Sequence, residues 1–343
     1  MINLNVDKIQ PVFSSNYVTI AMSSSEAYVP YLAVCLNSLK EHTSSTCNYD
    51  IVVFTSEIKD KDKKILRSYI ESKNISLRFF NPKKYFQYVK LHISHNYFKE
   101  ECYYRIIAPL VFNHYDKLIF TDIDLIFNED IQYLNNVKMN GKPLLAAIDL
   151  VWHGIINQRP DLKEQYCKEV LKIEDPYQYV NTGVLVFDIQ HFDWKKYISK
   201  LFVLINNNKF ETQEQCAINS LFYGNIEFLD YSWNTATKTH WITDLLSAMP
   251  PKTKEIYLAS WQCPKIIHYL GGNKPWHDPD EDKANIWWQY AKETPYYKII
   301  KNRLYNTCKY RWYQYLFSIK KFYSYKIIMI LGFKIVINQH DEK

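Results

Sequence analysis

The strongest candidate for chemistry in this 343-residue chain is the pair Asp122-Ile123-Asp124, which follows directly on the apolar run Lys117-Leu118-Ile119-Phe120. Residues i and i+2 at a strand end project to the same side, so both carboxylates can face one point. In open α/β sheets that point, beyond the carboxyl ends of the strands, is where ligands bind. Two hard oxygen ligands suit Mg²⁺ or Mn²⁺ bridging to a diphosphate. A strand-end Asp also serves as a turn or cap residue, and the string alone does not separate the two roles. The chain carries three further Asp-x-Asp strings, Asp60/Asp62, Asp278/Asp280 and Asp280/Asp282, in charged, loop-like stretches where solvated carboxylates are the plain explanation.

Three more clusters stand out. In Ile267 to His277 an apolar strand ends in His268, a Gly271-Gly272 turn follows, and Lys274 stands six residues after the histidine. An imidazole ligand would favour Mn²⁺ over the oxygen-preferring Mg²⁺, and the lysine could neutralise a phosphate as a point charge. Asn181, entering the run Gly183 to Phe187, could hydrogen-bond sugar hydroxyls or simply form the turn that feeds a core strand. Glu214 and Gln215, ahead of Asn219 on a helical stretch, read by default as solvated helix surface.

The elements that must position these groups alternate. Strands are expected at Tyr17 to Met22, Asp50 to Phe54, Leu77 to Phe80, Lys117 to Phe120, Leu144 to Ile148, Gly183 to Phe187 and Lys265 to His268. Helices are expected from Tyr31 to Lys40 after Pro30, from Ser56 to Ser72 and from Tyr103 to Phe112. This predicts an α/β fold, a single mostly parallel sheet with helices on both faces. The body spans residues 1–293, and residues 294–343 form a basic, aromatic, helical appendage.

Composition narrows the chemistry. There are seven glycines, the first being Gly141, so residues 1–140 hold no glycine-rich phosphate loop and classical dinucleotide or P-loop binding is excluded there. A nucleotide bound by this half needs a metal and side chains to neutralise its phosphates. The seven cysteines are irregularly spaced and lack CxxC, which points to a reducing compartment, and the first residues lack the blocks of a signal peptide. The net charge of +6 is uneven: ten Lys/Arg against Asp341 and Glu342 put +8 on residues 294–343, leaving 6 − 8 = −2 on the body. Nine of those basic residues and eight tyrosines interleave between Tyr296 and Ile337 without an acid. Such a segment suits the headgroup layer of an anionic membrane, and its longest apolar stretch, Ile327 to Ile337, is too short to span one.

Taken in order, Thr121-Asp122-Ile123-Asp124, Ala147-Ile148-Asp149, Asn181-Thr182-Gly183-Val184, Glu214-Gln215 with Asn219, and His268-Tyr269 with Gly271 and Lys274-Pro275-Trp276 resemble glycosyltransferase family 8. The likeness runs from about Tyr17 to Trp276, takes in Tyr28 to Val34, and is nearest to bacterial lipooligosaccharide and lipopolysaccharide galactosyl- and glucosyltransferases. It implies a GT-A-like fold, a UDP-sugar donor, Mn²⁺ rather than Mg²⁺, and a saccharide or glycolipid acceptor. Asp122, Asp124 and His268 would hold the metal against the diphosphate, with Gly271 and Lys274 on its far side. Arg105 would reach the donor sugar or phosphate. Asp149, Asn181 and Glu214 would hold donor hydroxyls, Ile123 and Thr182 would lie in the donor site, and Gln215 would sit beneath the anomeric carbon. Ala21 and Ser23 would line the uridine pocket. Two positions depart from many relatives: Ser23-Ser24-Ser25 replaces acidic residues, and Glu214 stands where Asp is frequent.

The family retains anomeric configuration, and an amide such as Gln215 is a poor nucleophile, so a front-face displacement is expected, with Gln215, Glu214 and Asp149 nearest the reaction. Cytoplasmic location, peripheral on the inner face of the membrane, follows from the same resemblance and the basic segment, with no nucleic acid expected. Rival readings are a sugar-nucleotide nucleotidyltransferase, which normally needs an N-terminal glycine-rich loop, a nucleic-acid-binding protein using the basic segment, and a non-catalytic sugar-binding protein.

Overall fold

The computed structural model describes residues 5–94, 99–321, 325–331 and 333–338. Ten strands build the body: β1 (Tyr17–Ser23), β2 (Asn48–Phe54), β3 (Ile75–Phe80), β4 (Lys117–Thr121), β5 (Leu125–Phe127), β6 (Leu144–Ile148), β7 (Val180–Asp188), β8 (Ile226–Leu229), β9 (Thr235–Ala236) and β10 (Ile266–His268). Seven form the central sheet in the order β3-β2-β1-β4-β7-β6-β8. All neighbours are parallel except that β7 runs against both β4 and β6. The sheet is mostly parallel, as the alternation of apolar runs and helices predicts.

Apolar cores cover both faces of the sheet, and the alternation along β1 shows how. Val18, Ile20 and Met22 join one core cluster, which includes Val29 to Leu36 of the helix Val29–Glu41. Ala21, one residue out of step, joins the other cluster with Val52, Phe120 and the helix Trp194–Asn207. Successive strand residues point to opposite faces, so a strand covered on both sides must be apolar throughout. All nine residues of β7 are buried.

The reversal of β7 positions the site. A parallel strand would bring its carboxyl end to the edge where β4 ends; β7 brings its amino end there, with Thr121 opposite Val184. Asn181, Thr182 and Gly183 therefore lie beside Asp122, whose backbone N–H donates to the Gly183 carbonyl at 2.9 Å. A second, three-stranded sheet, β5-β10-β9, supplies the other wall. His268 pairs with Leu125, and the Tyr269 N–H donates to the Asp124 carbonyl at 3.0 Å, so the backbone sets the histidine against the second aspartate.

The expected helices are present with altered ends. The Ser56 to Ser72 helix is confined to Asp60–Ile70, with Asp60 and Asp62 in its first turn, where carboxylates favour the positive helix end. The Tyr103 to Phe112 stretch is a 3-10 helix, Glu100–Ile107, followed by the α-turn Ala108–Val111. After the helix Ala284–Glu293 the chain continues into a helix, Tyr297–Leu316, whose start stays on the body: Tyr296 and Ile300 are buried, and Arg303 donates to the Ala27 carbonyl at 2.6 Å. The expectation of a helical appendage holds only to Leu316. Beyond it lies an antiparallel meander of β11 (Phe317–Lys321), β12 (Tyr325–Ile330) and β13 (Phe333–Asn338). Its β-branched residues favour strands over helix, and a turn at Leu331 divides the longest apolar stretch.

Candidate active site

A cleft of about 290 Å³ opens at the carboxyl ends of β1 and β4 and the amino end of β7. Its floor carries Asp122 and Asp124 from the loop joining β4 to β5, Asp149 after β6, and Glu214 and Gln215 from the first turn of the helix Gln213–Phe222. Asp122, Asp124 and His268 each offer an atom within 4.8 Å of the others, and they form the one such three-residue set found among the described residues. His268 Nε2 lies 3.7 Å from Asp122 Oδ2 and 3.4 Å from Asp124 Oδ1. Two carboxylates from the β4–β5 loop and an imidazole from the end of β10 fit a divalent cation of the Mg²⁺ or Mn²⁺ class.

The local chain is shaped around that histidine. A Cβ at Gly183 would come within 2.3 Å of His268 Cε1, so only glycine admits the ring at this point of β7. Lys274, 8% exposed, pairs with the Asp124 carboxylate and the Tyr269 carbonyl. Burial alone would raise the Asp124 pKa, but the Lys274 ammonium and the His268 ring outweigh it and hold the carboxyl well below the usual carboxylate range. Gly271 adopts φ +73°, a left-handed conformation suited to glycine, and bends the chain so that Lys274 can return to the floor.

On the other flank, Arg105 lines the cleft almost wholly buried. Its guanidinium pairs with Asp122, donates to the Thr182 carbonyl, and lies 3.3 Å from Glu214 Oε1 through Nε. Burial disfavours its charge, but Asp122 and Glu214 outweigh that and hold the group above its ordinary pKa. Glu214 is the losing partner: burial, opposed by Arg105 and reinforced by Asp122, pushes its pKa up to about 7. Asp149 is raised as well, chiefly by burial, although the Trp152 N–H and the Asn181 amide favour its charged form. Gln215 is held as a bridge, its Oε1 accepting from the Thr182 N–H at 3.0 Å and its Nε2 lying 3.5 Å from Asp149 Oδ2.

A carboxylate-lined metal site at the strand ends of an α/β sheet is shared by several enzyme classes, and comparison with known proteins separates them. The model of the family described as glycosyl transferase family 8 matches residues 19–280. This chain belongs to glycosyl transferase family 8. It is 27% identical over 204 residues to the lipopolysaccharide 1,2-glucosyltransferase of Escherichia coli, covering 57% of this chain and 52% of that one. Among solved structures, the bifunctional glycosyltransferase WbbM matches with a TM-score of 0.79 and 26% identity over 86% of this chain. This chain spans 53% of WbbM, about half its length, as with the glucosyltransferase. The galactosyltransferase LgtC, solved with donor and acceptor sugar analogues, matches with a TM-score of 0.66 at 21% identity, covering 81% of this chain and 96% of that one; this likeness speaks to the fold.

The protein is therefore a family 8 glycosyltransferase with a GT-A-type fold, and the nucleotidyltransferase alternative falls. The residues expected from sequence meet in one place: Ser23, Arg105, Asp122, Ile123, Asp124, Asp149, Asn181, Thr182, Glu214, Gln215, His268, Gly271 and Lys274 all line the cleft. Ala21 does not. It lies two residues before Ser23, roughly 7 Å deeper along β1, and is fully buried in the core beneath the cleft. Ser23 sits at the strand end with its hydroxyl buried and unpartnered among the described residues. Sequence reasoning missed Asn234, which hydrogen-bonds His268 from behind, and the apolar wall of Val151, Trp152, Ile155, Trp241 and Leu270. The wall residues gave no signal, nor did Asn234, alone between aromatic and β-branched residues.

Two outcomes follow from this geometry. Gly183→Ala should destabilise the protein by about 1–3 kcal/mol, the range for overpacking, and weaken metal binding by displacing His268; an unchanged urea midpoint would contradict the close approach. Glu214 has a raised folded pKa, so its stabilising contribution is complete below about 4.5 and is lost as pH rises through about 7. Glu214→Gln should thus gain stability relative to the parent between about pH 5 and about pH 8, by on the order of 3 kcal/mol, in metal-free thermal melts. A constant difference across that range would show that Glu214 does not titrate there.

Proposed function

We propose that this glycosyltransferase moves galactose or glucose from a UDP-sugar to a lipooligosaccharide- or lipopolysaccharide-type acceptor, with retention of configuration and with Mn²⁺ as cofactor. The observation that carries this reading is the meeting of Asp122, Asp124 and His268 on a floor otherwise occupied by hydrogen-bonding groups. The imidazole favours Mn²⁺ over Mg²⁺. When bound, the ion would act as a Lewis acid on the leaving diphosphate. The acceptor class is supported by the name of the E. coli relative. The uracil would lie against Ser23, whose unpaired hydroxyl can serve as acceptor where relatives carry acids.

The chain's own groups orient and exclude rather than attack. Lys274, which restrains Asp124, would meet a diphosphate as a point charge. Asp149 accepts from the Trp152 N–H at 3.1 Å and the Asn181 amide at 3.2 Å, with the Gln215 amide beyond, and a carboxylate so occupied is a weak nucleophile. The Gln215 oxygen is engaged by Thr182. With neither group free to form a covalent intermediate, the acceptor hydroxyl would attack from the face the diphosphate leaves, and the departing phosphate oxygen would take its proton. Asp149, Asn181 and Glu214 would hold donor hydroxyls, with Arg105 reaching the sugar or phosphate.

Chelation should abolish sugar-dependent UDP release and Mn²⁺ should restore it best, while Asp122→Asn or Asp124→Asn should cut kcat by about 10² or more, the scale of losing a principal electrostatic stabiliser. Undiminished turnover in excess EDTA would refute the metal reading.

The segment 294–343 would bind peripherally to an anionic membrane at the inner face of the cytoplasmic membrane. Among the described residues no helix is long and apolar enough to cross a membrane. The register pairs Ile330 with Phe333 and Ile328 with Ile335, which puts four apolar residues on one face of the meander. Phe333 is 77% exposed, and Ile330 and Ile335 are exposed beside it. An apolar face on a basic segment suits the headgroup layer, each basic residue adding ~1 kcal/mol near anionic lipid. Phe333→Asp with Ile335→Asp should release the protein from anionic vesicles while leaving transfer to a soluble acceptor intact; equal vesicle binding by parent and variant at low salt would overturn this attachment.

A further inference from the structure

One backbone amide fixes the direction of the hydrogen bonds that run through Asn181 and Asn234 to His268. The Gly183 N–H can only donate, and it donates to Asn181 Oδ1 at 2.9 Å. The Asn181 oxygen is thereby placed, and its Nδ2 reaches Asp149 Oδ2 at 3.2 Å. The group that Asn234 turns toward Asn181 Oδ1, 2.9 Å away, must then be its own donor, Nδ2. That leaves Asn234 Oδ1 facing His268 Nδ1 at 2.7 Å. An amide oxygen only accepts, so Nδ1 carries the hydrogen and Nε2 is bare. Nε2 is the atom that faces Asp122 and Asp124.

We propose that Asn234 is a positioning residue that couples the metal site to the donor-sugar site. Its carbonyl selects and aims the metal-binding tautomer of His268, and its NH₂ fixes the Asn181 amide against Asp149. The partner of a ligating histidine sets which nitrogen is presented and in which direction. Asn234 is 2% exposed and does not line the cleft, so it acts only through its neighbours. The backbone holds it in register: it ends the 3-10 turn Tyr231–Asn234, the next two residues form β9, and β9 pairs with β10 so that Ala236 lies opposite His268. The two halves of one amide thus serve two ligands, and this assignment rests on the metal reading above.

The halves separate by substitution in the full-length protein. Asn234→Asp keeps an acceptor for the Nδ1–H but sets a carboxylate oxygen against Asn181 Oδ1; Asn234→Leu removes both partners. Mn²⁺ affinity would be read by electron paramagnetic resonance of the free ion without donor, and donor KM by UDP release at saturating Mn²⁺. The aspartate variant should bind Mn²⁺ within about threefold of the parent yet show a donor KM raised about tenfold. The leucine variant should lose about 10- to 100-fold in Mn²⁺ affinity, the range for removing a ligand's hydrogen-bond partner. A folded leucine variant with parental Mn²⁺ affinity overturns the proposal, as does an aspartate variant that loses metal and donor in equal proportion. If the leucine protein fails to fold, the aspartate variant decides alone by the same two readouts. A parent protein that binds no Mn²⁺ would instead sink the metal reading itself.

Discussion

Four carboxylates, Asp122, Asp124, Asp149 and Glu214, share the floor of one cleft, and the arrangement depends on how their mutual repulsion and desolvation are met. Like charges in a partly buried site cannot all remain ionised without compensation. Two cations are sunk beside them: Arg105 spans Asp122 and Glu214, and Lys274 takes Asp124. Compensation is uneven. Asp124 is held well below the usual carboxylate range, whereas burial, only partly opposed by Arg105 and reinforced by Asp122, pushes Glu214 up to about 7. The floor is thus charged where a cation would sit and closer to neutral where a sugar would lie.

That charge pattern is a consequence of topology. Parallel strands deliver their carboxyl ends to one edge, and β4 delivers Asp122 and Asp124 there. The remaining polar groups must arrive by another route, and the reversed β7 brings Asn181 and Thr182 to the same edge by its amino end. The small sheet β5-β10-β9 completes the enclosure, since pairing of β10 with β5 sets His268 across from the aspartates. Gly183 is the point where the two sheets touch, which is why a side chain is missing there.

Much of this was legible in the sequence. Asp122 and Asp124 stood out because a strand ran directly into them, and His268 and Lys274 because a strand and two glycines framed them. Six of the seven strands of the central sheet were legible as apolar runs, but the direction of β7 was not, because a strand buried on both faces reads the same in either orientation. Ala21, placed in the uridine pocket by the resemblance, lies buried short of the end of β1, and strand depth decides that Ser23 and not Ala21 reaches the cleft. Leu125–Phe127 and Ile226–Leu229 are too short to stand out. The meander after Leu316 is not legible as strands from basic and aromatic content alone; its β-branched residues are what favour strand over helix. Asn234 was invisible, since a buried amide earns its role only through partners distant in the chain.

The role of Glu214 can be read from the same electrostatics. Its carboxylate reaches the buried Arg105 at 3.3 Å, so part of its hydrogen-bonding capacity is spent on that guanidinium and not toward the donor. A carboxyl poised near neutrality can donate as well as accept, which an ionised Asp cannot. A donor hydroxyl meeting Glu214 would therefore face a group of adjustable polarity, while one meeting Asn181 would face an amide whose orientation is locked by Gly183, Asp149 and Asn234. Choice between hexoses that differ in the orientation of a single hydroxyl would then be set mainly from the amide side, where the geometry is fixed, with Glu214 adapting its proton to whichever sugar the amide admits.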